Sequence, residues 1–328
     1  MEAETRYHPS AEQLALAGTI DESLATLLPL SRLHTTQVED THTWSSLDEI
    51  GIFGISASDE QGGSGLGAAE EALIVMSLGR RLAAPSVLAT IGAAHGLMSA
   101  SGAAATSGAS ELRGRRVAAA YRHADRVILI EDADADLILV RDESGAALYR
   151  AADCTSKPLD RRLWVAGLRE AVTLGPPLVN FDTSQLLRLR LIDAASLAGI
   201  CQTALDMAVA YAGIRTQFGR VIGSFQAVKH HCANMAIAAR CARDQTGFAA
   251  VALDEGRDEA ALQVECALFV AASSALENAA SNIQIHGGIG FSDEADPHLC
   301  LKRAQLLIAI AGGLEASGER IADIKVSA

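Results

Sequence analysis

The chain has 328 residues, 49% of them hydrophobic and 20% charged, with 27 basic against 40 acidic side chains. That length buries a sizeable core, and a net charge of −13 opposes a sequence-independent grip on a phosphate backbone, which argues against nucleic acid as a partner. Aromatic residues are only 4% of the chain, too few for the stacking platforms of single-strand binders, and the abundance of Ala, Leu, Ile and Val favours packed helices.

From Pro9 to about Ala104 the pattern is helical, in three runs: PSAEQLALAGTIDESLATLLPL, WSSLDEIGIFGI and GAAEEALIVMSLGRRLAAPSVLATIGAAHGLM. Ser46 with Glu49 three residues on predicts a capping box at the start of the second run. Gly63, Gly65 and Ala68 fit a loose G-x-G-x-x-A pattern. No acidic residue closes a second strand where the chain reads LAAPSV, so the glycines are expected to make a tight interhelical turn and not a dinucleotide site. Leu82 to Ser110 carries no formal charge, yet its Ala, Gly, Ser and Thr content is too polar for a membrane span.

From about Gly114 to Asp182 the texture changes to short alternating or β-branched runs, RVAAAYR, RVILIED, ADLILVRD, GAALYRA and REAVTLG, which predict a small sheet or barrel. After Ser184 the chain is helical almost to its end. Predicted buried stripes run through Leu197, Ile200, Ala204, Ala208 and Tyr211, then Val228, Cys232, Met235, Ala239 and Ala242, then Leu262, Cys266, Phe269, Ser273 and Leu276. Stripes at three- and four-residue steps pack helices into a bundle. The expected fold class is therefore mainly α with a small β domain: an N-terminal helical domain at 1–111, an abbreviated middle β domain at 112–183 and a C-terminal helical bundle at 184–328.

The six cysteines are scattered and are expected to be reduced and mostly buried. His230 and His231, beside Cys232, diverge around a helix and are expected on its surface, so no metal site is expected. The N-terminus MEAETRYHPS lacks the apolar core of a signal peptide, which predicts a soluble cytoplasmic protein without membrane insertion.

Two stretches concentrate chemistry. In IRTQFGRVIGSFQAVKHH, Arg215 ends one helix, Phe218 and Gly219 break it, and Gln226 opens the next; a guanidinium with nearby amides suits a pyrophosphate. In NIQIHGGIGFSDEADPHLCLKRAQ, Gly287 and Gly288 remove side chains where a ligand can approach the backbone. RTQFGRVIGSFQAVKHHCANM followed by QIHGGIGFSDEADPHLCLKRA resembles the flavoprotein acyl-CoA dehydrogenase family, and WSSLDEIGIFGISASDEQGGSGLGAAEEALIVMSLGRRLAAPSVL resembles that family's first helical domain. The resemblance covers essentially the whole chain. It implies the acyl-CoA dehydrogenase-like order of helical domain, β domain and four-helix bundle, with FAD lying between the β domain of one subunit and the C-terminal helices of its mate. By motif match Arg215 would hold the FAD pyrophosphate, with Gln217, Phe218 and Gln226 shaping the same groove. Gln284, Gly287 and Gly288 would face the adenosine side. The implied reaction removes the α proton of an acyl-CoA thioester with a carboxylate while the β hydride passes to the flavin.

The departures from the family carry as much weight. The usual catalytic Glu falls on Ala311, before Gly312, and the alternative position on the first long C-terminal helix falls on about Leu189. Asp193 and Glu315 lie one turn beyond each, as substitutes for a general base. The Thr-Glu-Pro-like turn and the Trp-Ile pair of the flavin-facing segment do not appear between Glu111 and Ser184, and Trp164 is expected to pack in the core. The expectation is a smaller, base-lacking subunit of a heteromeric enzyme, an α2β2 heterotetramer, paired with a second acyl-CoA dehydrogenase-like chain. That family's paired members often act on bulky steroid side-chain thioesters, and electron-transfer flavoprotein is the implied acceptor. A self-sufficient homo-oligomer with a displaced base, or a non-catalytic scaffold that binds CoA thioesters, are the alternatives.

Overall fold

The computed structural model of the chain describes residues 7–35, 38–58, 63–98, 114–130, 133–143, 145–159 and 167–324. Trp164 and residues 99–104 of the first helical region lie outside the described residues. Helix α1 (Ala11–Leu27) opens on a capping box in which Ser10 Oγ accepts from the Gln13 amide at 3.2 Å and Gln13 Oε1 accepts from the Ser10 amide at 2.8 Å. Helix α2 (Thr41–Glu49) begins a turn earlier than expected. Asp40 accepts from the Thr43 amide at 2.7 Å, so Ser46 lies inside the helix and caps nothing.

The third helical run is two helices, α3 (Ala68–Arg80) and α4 (Pro85–Met98), separated at Leu82, whose φ of +49° no sequence signal announced. A buried ion pair makes that break. Arg32 donates to the carbonyls of Arg81 at 2.9 Å and Leu82 at 3.2 Å, which satisfies the open end of α3. Glu39, held by Arg32 at 2.9 and 3.0 Å, accepts from the Ala84 amide at 3.0 Å and so caps α4. At the helix end of the glycine-rich turn before α3, the Ala68 and Ala69 amides are taken by the Asp254 carboxylate at 2.6 and 2.9 Å.

Seven strands follow in one sheet: β1 (Arg116–His123), β2 (Arg126–Ile130), β3 (Ala135–Arg141), β4 (Ala146–Arg150), β5 (Thr155–Pro158), β6 (Leu168–Thr173) and β7 (Val179–Asn180). Their order is β5-β6-β2-β1-β3-β4-β7, with β1 and β3 parallel and the other pairs antiparallel. The five strand-like runs of the sequence are all strands, and β5 and β7 are added by pairing at the two edges. Val117, Ala119, Leu137 and Leu139 face the main core, while Ala118, Ala120, Ile138 and Val140 alternate onto the opposite face and form a smaller core.

The chain then enters α5 (Thr183–Ile214), a short hairpin of β8 (Thr216–Gln217) and β9 (Arg220–Val221), α6 (Gln226–Asp254), α7 (Ala260–His286), α8 (Pro297–Ile310) and α9 (Leu314–Asp323). Helices α5 and α7 are long and apolar enough to cross a membrane by composition, but half of each apolar window is buried inside this protein, where the two pack on each other. The stripes expected on α5 and α6 are largely buried. On α7 the expected stripe is a flank, with Phe269 39% exposed; the buried face is Val264, Ala267, Leu268, Ala271, Ala275 and Ala279. Small residues let α7 lie close against α5, and backbone proximity outweighed side-chain size. The same rule governs α3 against α5, where Gly79 meets the Ser196 backbone and Gly199 meets the Met76 carbonyl with no room for a methyl group. All six cysteines are free thiols, but only Cys201 and Cys300 are buried; Cys154, Cys232 and Cys266 are half-buried and Cys241 is exposed, a correction to the expectation that most would be buried.

Candidate functional site

Arg215 is the residue at which α5 stops. Its amide donates to the Tyr211 carbonyl at 2.9 Å, and its own carbonyl accepts from Ile222 at 2.8 Å, closing the β8–β9 hairpin. Phe218 and Gly219 turn that hairpin with φ of +52° and +77°, and Phe218 is left 92% exposed at its tip. Arg220 lies over the Phe225 ring at 4.1 Å, and Gln226 is the first residue of α6. Arg215, Gln217 and Gln226 are exposed, and among the described residues no carboxylate pairs with Arg215. His230 and His231 are exposed on the same helix.

The second motif ends α7. Gly287 has φ +67°, and its amide donates back to the carbonyls of Gln284 and Ile283. A methyl group built on Gly287 or Gly288 would touch nothing, whereas one on Gly290 would stand 2.8 Å from the Ile283 carbonyl. Gln284 is exposed beside them.

One contact that the sequence analysis missed joins the two motifs. Tyr211, one turn before Arg215, stacks on His286, directly before Gly287, with ring centroids 4.1 Å apart and planes at 21°. His286 Nδ1 bonds the Asn282 carbonyl at 2.9 Å, which makes it the protonated ring nitrogen and fixes the ring. The proximity of each ring to its motif was the available signal, a Tyr at i−4 from Arg215 and a His adjoining Gly287. The proposed cofactor residues thus share one end of the bundle, on its surface. A shallow apolar groove of about 420 Å³, lined by Val209, Val221, Val228 and Cys232 among others, adjoins them.

The two positions at which a base was sought lie elsewhere. Leu189 of α5 and Ile310, next to Ala311 at the end of α8, line one cavity of about 20 Å³ with Leu88, Leu139 and Leu307. That volume admits about one water molecule. Leu189 is 2% and Ala311 is 6% exposed. Asp193 lies at this cavity, where Arg141 of β3 grips it bidentately at 3.0 and 2.6 Å. Burial pushes the Asp193 carboxyl up, and the paired guanidinium opposes that shift. Glu315 is exposed in the first turn of α9, away from the cavity lining. Among the described residues, no group of three or more His, Cys, Asp or Glu side chains is arranged to hold a metal.

The family descriptions "Acyl-CoA dehydrogenase, N-terminal domain" and "Acyl-CoA dehydrogenase, C-terminal domain" match residues 10–119 and 179–324, on either side of most of the sheet. Acyl-CoA dehydrogenase IpdE2 of Mycobacterium tuberculosis is 32% identical over 271 residues, 81% of this chain and 80% of that protein. The chain belongs to the acyl-CoA dehydrogenase family. A second member, FadE34 of the same organism, is 33% identical over 300 residues; the match takes in 82% of this chain and 40% of FadE34, so the chain spans less than half of that relative. Solved structures of similar fold include the ChsE4-ChsE5 complex from Mycobacterium tuberculosis (TM-score 0.77, 23% identity, 98% of this chain and 100% of that one) and the Tcur3481-Tcur3483 steroid ACAD (TM-score 0.78, 22% identity, 95% and 96%). Acyl-CoA dehydrogenases are FAD-dependent flavoproteins. The residues present fit one end of that cofactor: an exposed, unpaired guanidinium suits a pyrophosphate, and the open backbone at Gly287 and Gly288 admits close approach.

Proposed function

We propose that this chain is the base-lacking subunit of a heteromeric FAD-dependent acyl-CoA dehydrogenase. The observation that carries this reading is the cavity of about 20 Å³ at the base-equivalent Leu189, lined also by Ile310, the neighbour of Ala311, and by the Arg141–Asp193 pair. An acyl thioester does not enter that volume, and neither Leu189 nor Ala311 accepts a proton. The parts that survive are those that serve a cofactor from outside: Arg215 for the pyrophosphate, Gln217, Phe218 and Gln226 around it, and Gln284, Gly287 and Gly288 for the adenosine side. When bound, FAD supplies the hydride acceptor. This chain's part is to bind and orient, by charge at Arg215 and by backbone at the Gly-Gly turn, while a second acyl-CoA dehydrogenase-like chain brings the catalytic Glu.

The remaining particulars rest on the same reading. The substrate is an acyl-CoA thioester dehydrogenated between its α and β carbons. A bulky or steroid side chain is favoured by the likeness to a steroid ACAD and to the ChsE4-ChsE5 complex. The assembly is an α2β2 tetramer working in the cytoplasm with electron-transfer flavoprotein as acceptor. The division into units at 1–111, 112–183 and 184–328 belongs to the same proposal.

The test is the flavin-to-chain ratio of purified protein, expressed alone and with a Glu-bearing dehydrogenase-like chain. Flavin only in the mixed preparation, at about one per two chains, is the expected outcome. About one flavin per chain in the isolated protein would establish a self-sufficient homo-oligomer instead, and none in either preparation would leave a scaffold.

A further inference from the structure

A backbone that meets a cofactor has to be held in place, and the segment around Gly287 and Gly288 does little to hold itself. Of residues 287–296 only Gly290, which has no side chain, is buried, and Ile289 and Phe291 are 53 and 72% exposed. The start of the segment is fixed by α7, where the Gly287 amide donates to the carbonyls of Gln284 and Ile283. Its far end is fixed from the N-terminal part of the chain, by His34.

His34 closes the short 3-10 helix Leu30–His34 and stands on a rigid base. Leu33 beside it is buried, and Arg32 is bound to Glu39 and to the carbonyls of Arg81 and Leu82. From that base Nδ1 bonds the Asp293 carbonyl at 2.9 Å and Nε2 bonds an Asp296 carboxylate oxygen at 2.7 Å. Backbone bonds carry this hold back to the Gly-Gly turn. The Ala295 amide donates to the Ser292 carbonyl at 3.1 Å, and the Ser292 amide donates to the Ile289 carbonyl at 3.0 Å.

Two features distinguish this contact from an incidental one. Asp296 is the N-cap residue of α8, where an Asp side chain ordinarily accepts from the amides of its own helix; here it caps nothing and turns to His34. Carbonyl and carboxylate oxygens only accept, so a ring that bonds one of each donates from both nitrogens and is the imidazolium. A neutral ring keeps one of the two bonds. We propose that His34 is a positioning residue for the cofactor: its charged ring clasps the Asp293–Asp296 turn and so holds the Gly287–Gly288 backbone open to the adenosine side. This rests on the cofactor-binding part of the reading above and not on the partner.

The clasp is complete while both nitrogens carry protons, and it weakens as rising pH removes one. The charged and titratable groups that face the ring are Asp293, Glu294 and Asp296 from the turn and His298 and Lys302 from α8, with Arg32 on its own element held by Glu39. Hydrogen bonds from Ser292 and from its own amide hold the Glu294 carboxyl below the usual carboxylate range. Burial, and then the Lys302 charge, push His298 down, and burial pushes Lys302 down. His34→Ala retains all of these groups, so it isolates the pH dependence that belongs to His34.

The test follows amide hydrogen exchange of the 287–296 peptide in the full chain from about pH 5.5 to 8.5, corrected for intrinsic rates. Flavin dissociation is followed over the same range in whichever preparation holds flavin, the chain alone or with its Glu-bearing partner. At the acid end His34→Ala is expected to exchange in this peptide, and to lose flavin, roughly tenfold faster than the wild type, with α5 unchanged. The difference is expected to shrink toward the alkaline end, as the wild type loses its own clasp. Asp296→Ala, which leaves the ring in place, is expected to show the same loss. Equal exchange in the wild type and both variants would overturn the clasp, and a difference that is constant with pH would overturn its charged ring. Faster exchange with unchanged flavin dissociation would overturn its role toward the cofactor. Flavin held by the isolated chain would remove the partner reading and leave this proposal to the same two measurements. Flavin in neither preparation would remove the cofactor reading and the positioning role with it.

Discussion

The guanidinium of Arg141 on β3 holds the carboxylate of Asp193 on α5 through two parallel hydrogen bonds of 3.0 and 2.6 Å, with both side chains buried at the cavity that Leu189 lines. A carboxylate so engaged has its lone pairs spent on binding the sheet to the bundle. Removing one partner of a buried pair leaves the other charge uncompensated, at a cost of about 3–5 kcal/mol, whereas replacing both with apolar groups is often nearly neutral. Asp193→Asn is therefore expected to lower the urea midpoint sharply, and Arg141→Met/Asp193→Leu to recover most of the loss. Equal losses in the single and double variants would show that Asp193 contributes through something other than Arg141.

Glu315 is the other displaced acid. It is exposed in the first turn of α9, where a negative side chain meets the positive end of the helix dipole. That placement contributes about 0.3–1 kcal/mol. Glu315→Gln is expected to shift stability within that range and to leave the turnover of the mixed enzyme unchanged. A fall in turnover of a hundredfold, the scale of a lost general base, would return Glu315 to the reaction.

The sequence made the order of parts and the two C-terminal motifs legible because each rests on local chemistry: period-2 runs for strands, a Gly-Gly stop, an Arg at a helix end. What it hid was set by distant partners. Leu82 adopts φ +49° because Arg32 takes the carbonyls of Arg81 and Leu82 while Glu39 takes the Ala84 amide. Within residues 67–98 Pro85, the first residue of α4, is a local sign of a helix start, but the left-handed turn at Leu82 has no local cause. The buried face of α7 was misjudged because Ala at positions such as 267, 271 and 275 carries little hydrophobic weight in a periodicity count, although it is what permits close packing. The lack of a carboxylate at positions 189 and 311 was legible, but the Arg141–Asp193 pair joins residues on a strand and a helix that no spacing connects.

Thiol reactivity separates the cysteines by burial. Cys201 and Cys300 are pushed up to about 12 by desolvation, so neither forms the reactive thiolate near neutral pH. Burial also raises the half-buried Cys154, Cys232 and Cys266. With a disulfide reagent at pH 8, exposed Cys241 is expected to react first, those three more slowly, and Cys201 and Cys300 only after denaturant is added. Mass spectrometry of the partly modified protein reads the order. Early labelling of Cys201 would mean that the α5–α7 contact opens in the native state.

Acid stability turns on Glu71, which is 1% exposed on α3 and bonded to His95 at 2.8 Å and to Arg188 at 2.7 Å. Burial raises its carboxyl, but the charges and hydrogen bonds of His95 and Arg188 outweigh burial and leave it below the ordinary glutamate value of 4.5. A carboxyl held lower in the folded than in the unfolded chain contributes its stability above the unfolded value, and that contribution drains away as pH falls through the folded one. The Glu71 contribution is therefore complete at pH 7 and lost progressively below about 4.5. In Glu71→Gln the uncharged amide leaves Arg188 with Asp254, 3.7 Å away, as its one carboxylate among the described residues, so the variant is expected to be less stable at neutral pH. The gap from wild type is expected to narrow as the pH is lowered from 5 to 3. Urea midpoints measured at each pH give the comparison. A gap that stays constant across that range would mean that Glu71 titrates alike in the folded and unfolded chains, and a gap that widens would mean that its two partners bind it as a neutral acid.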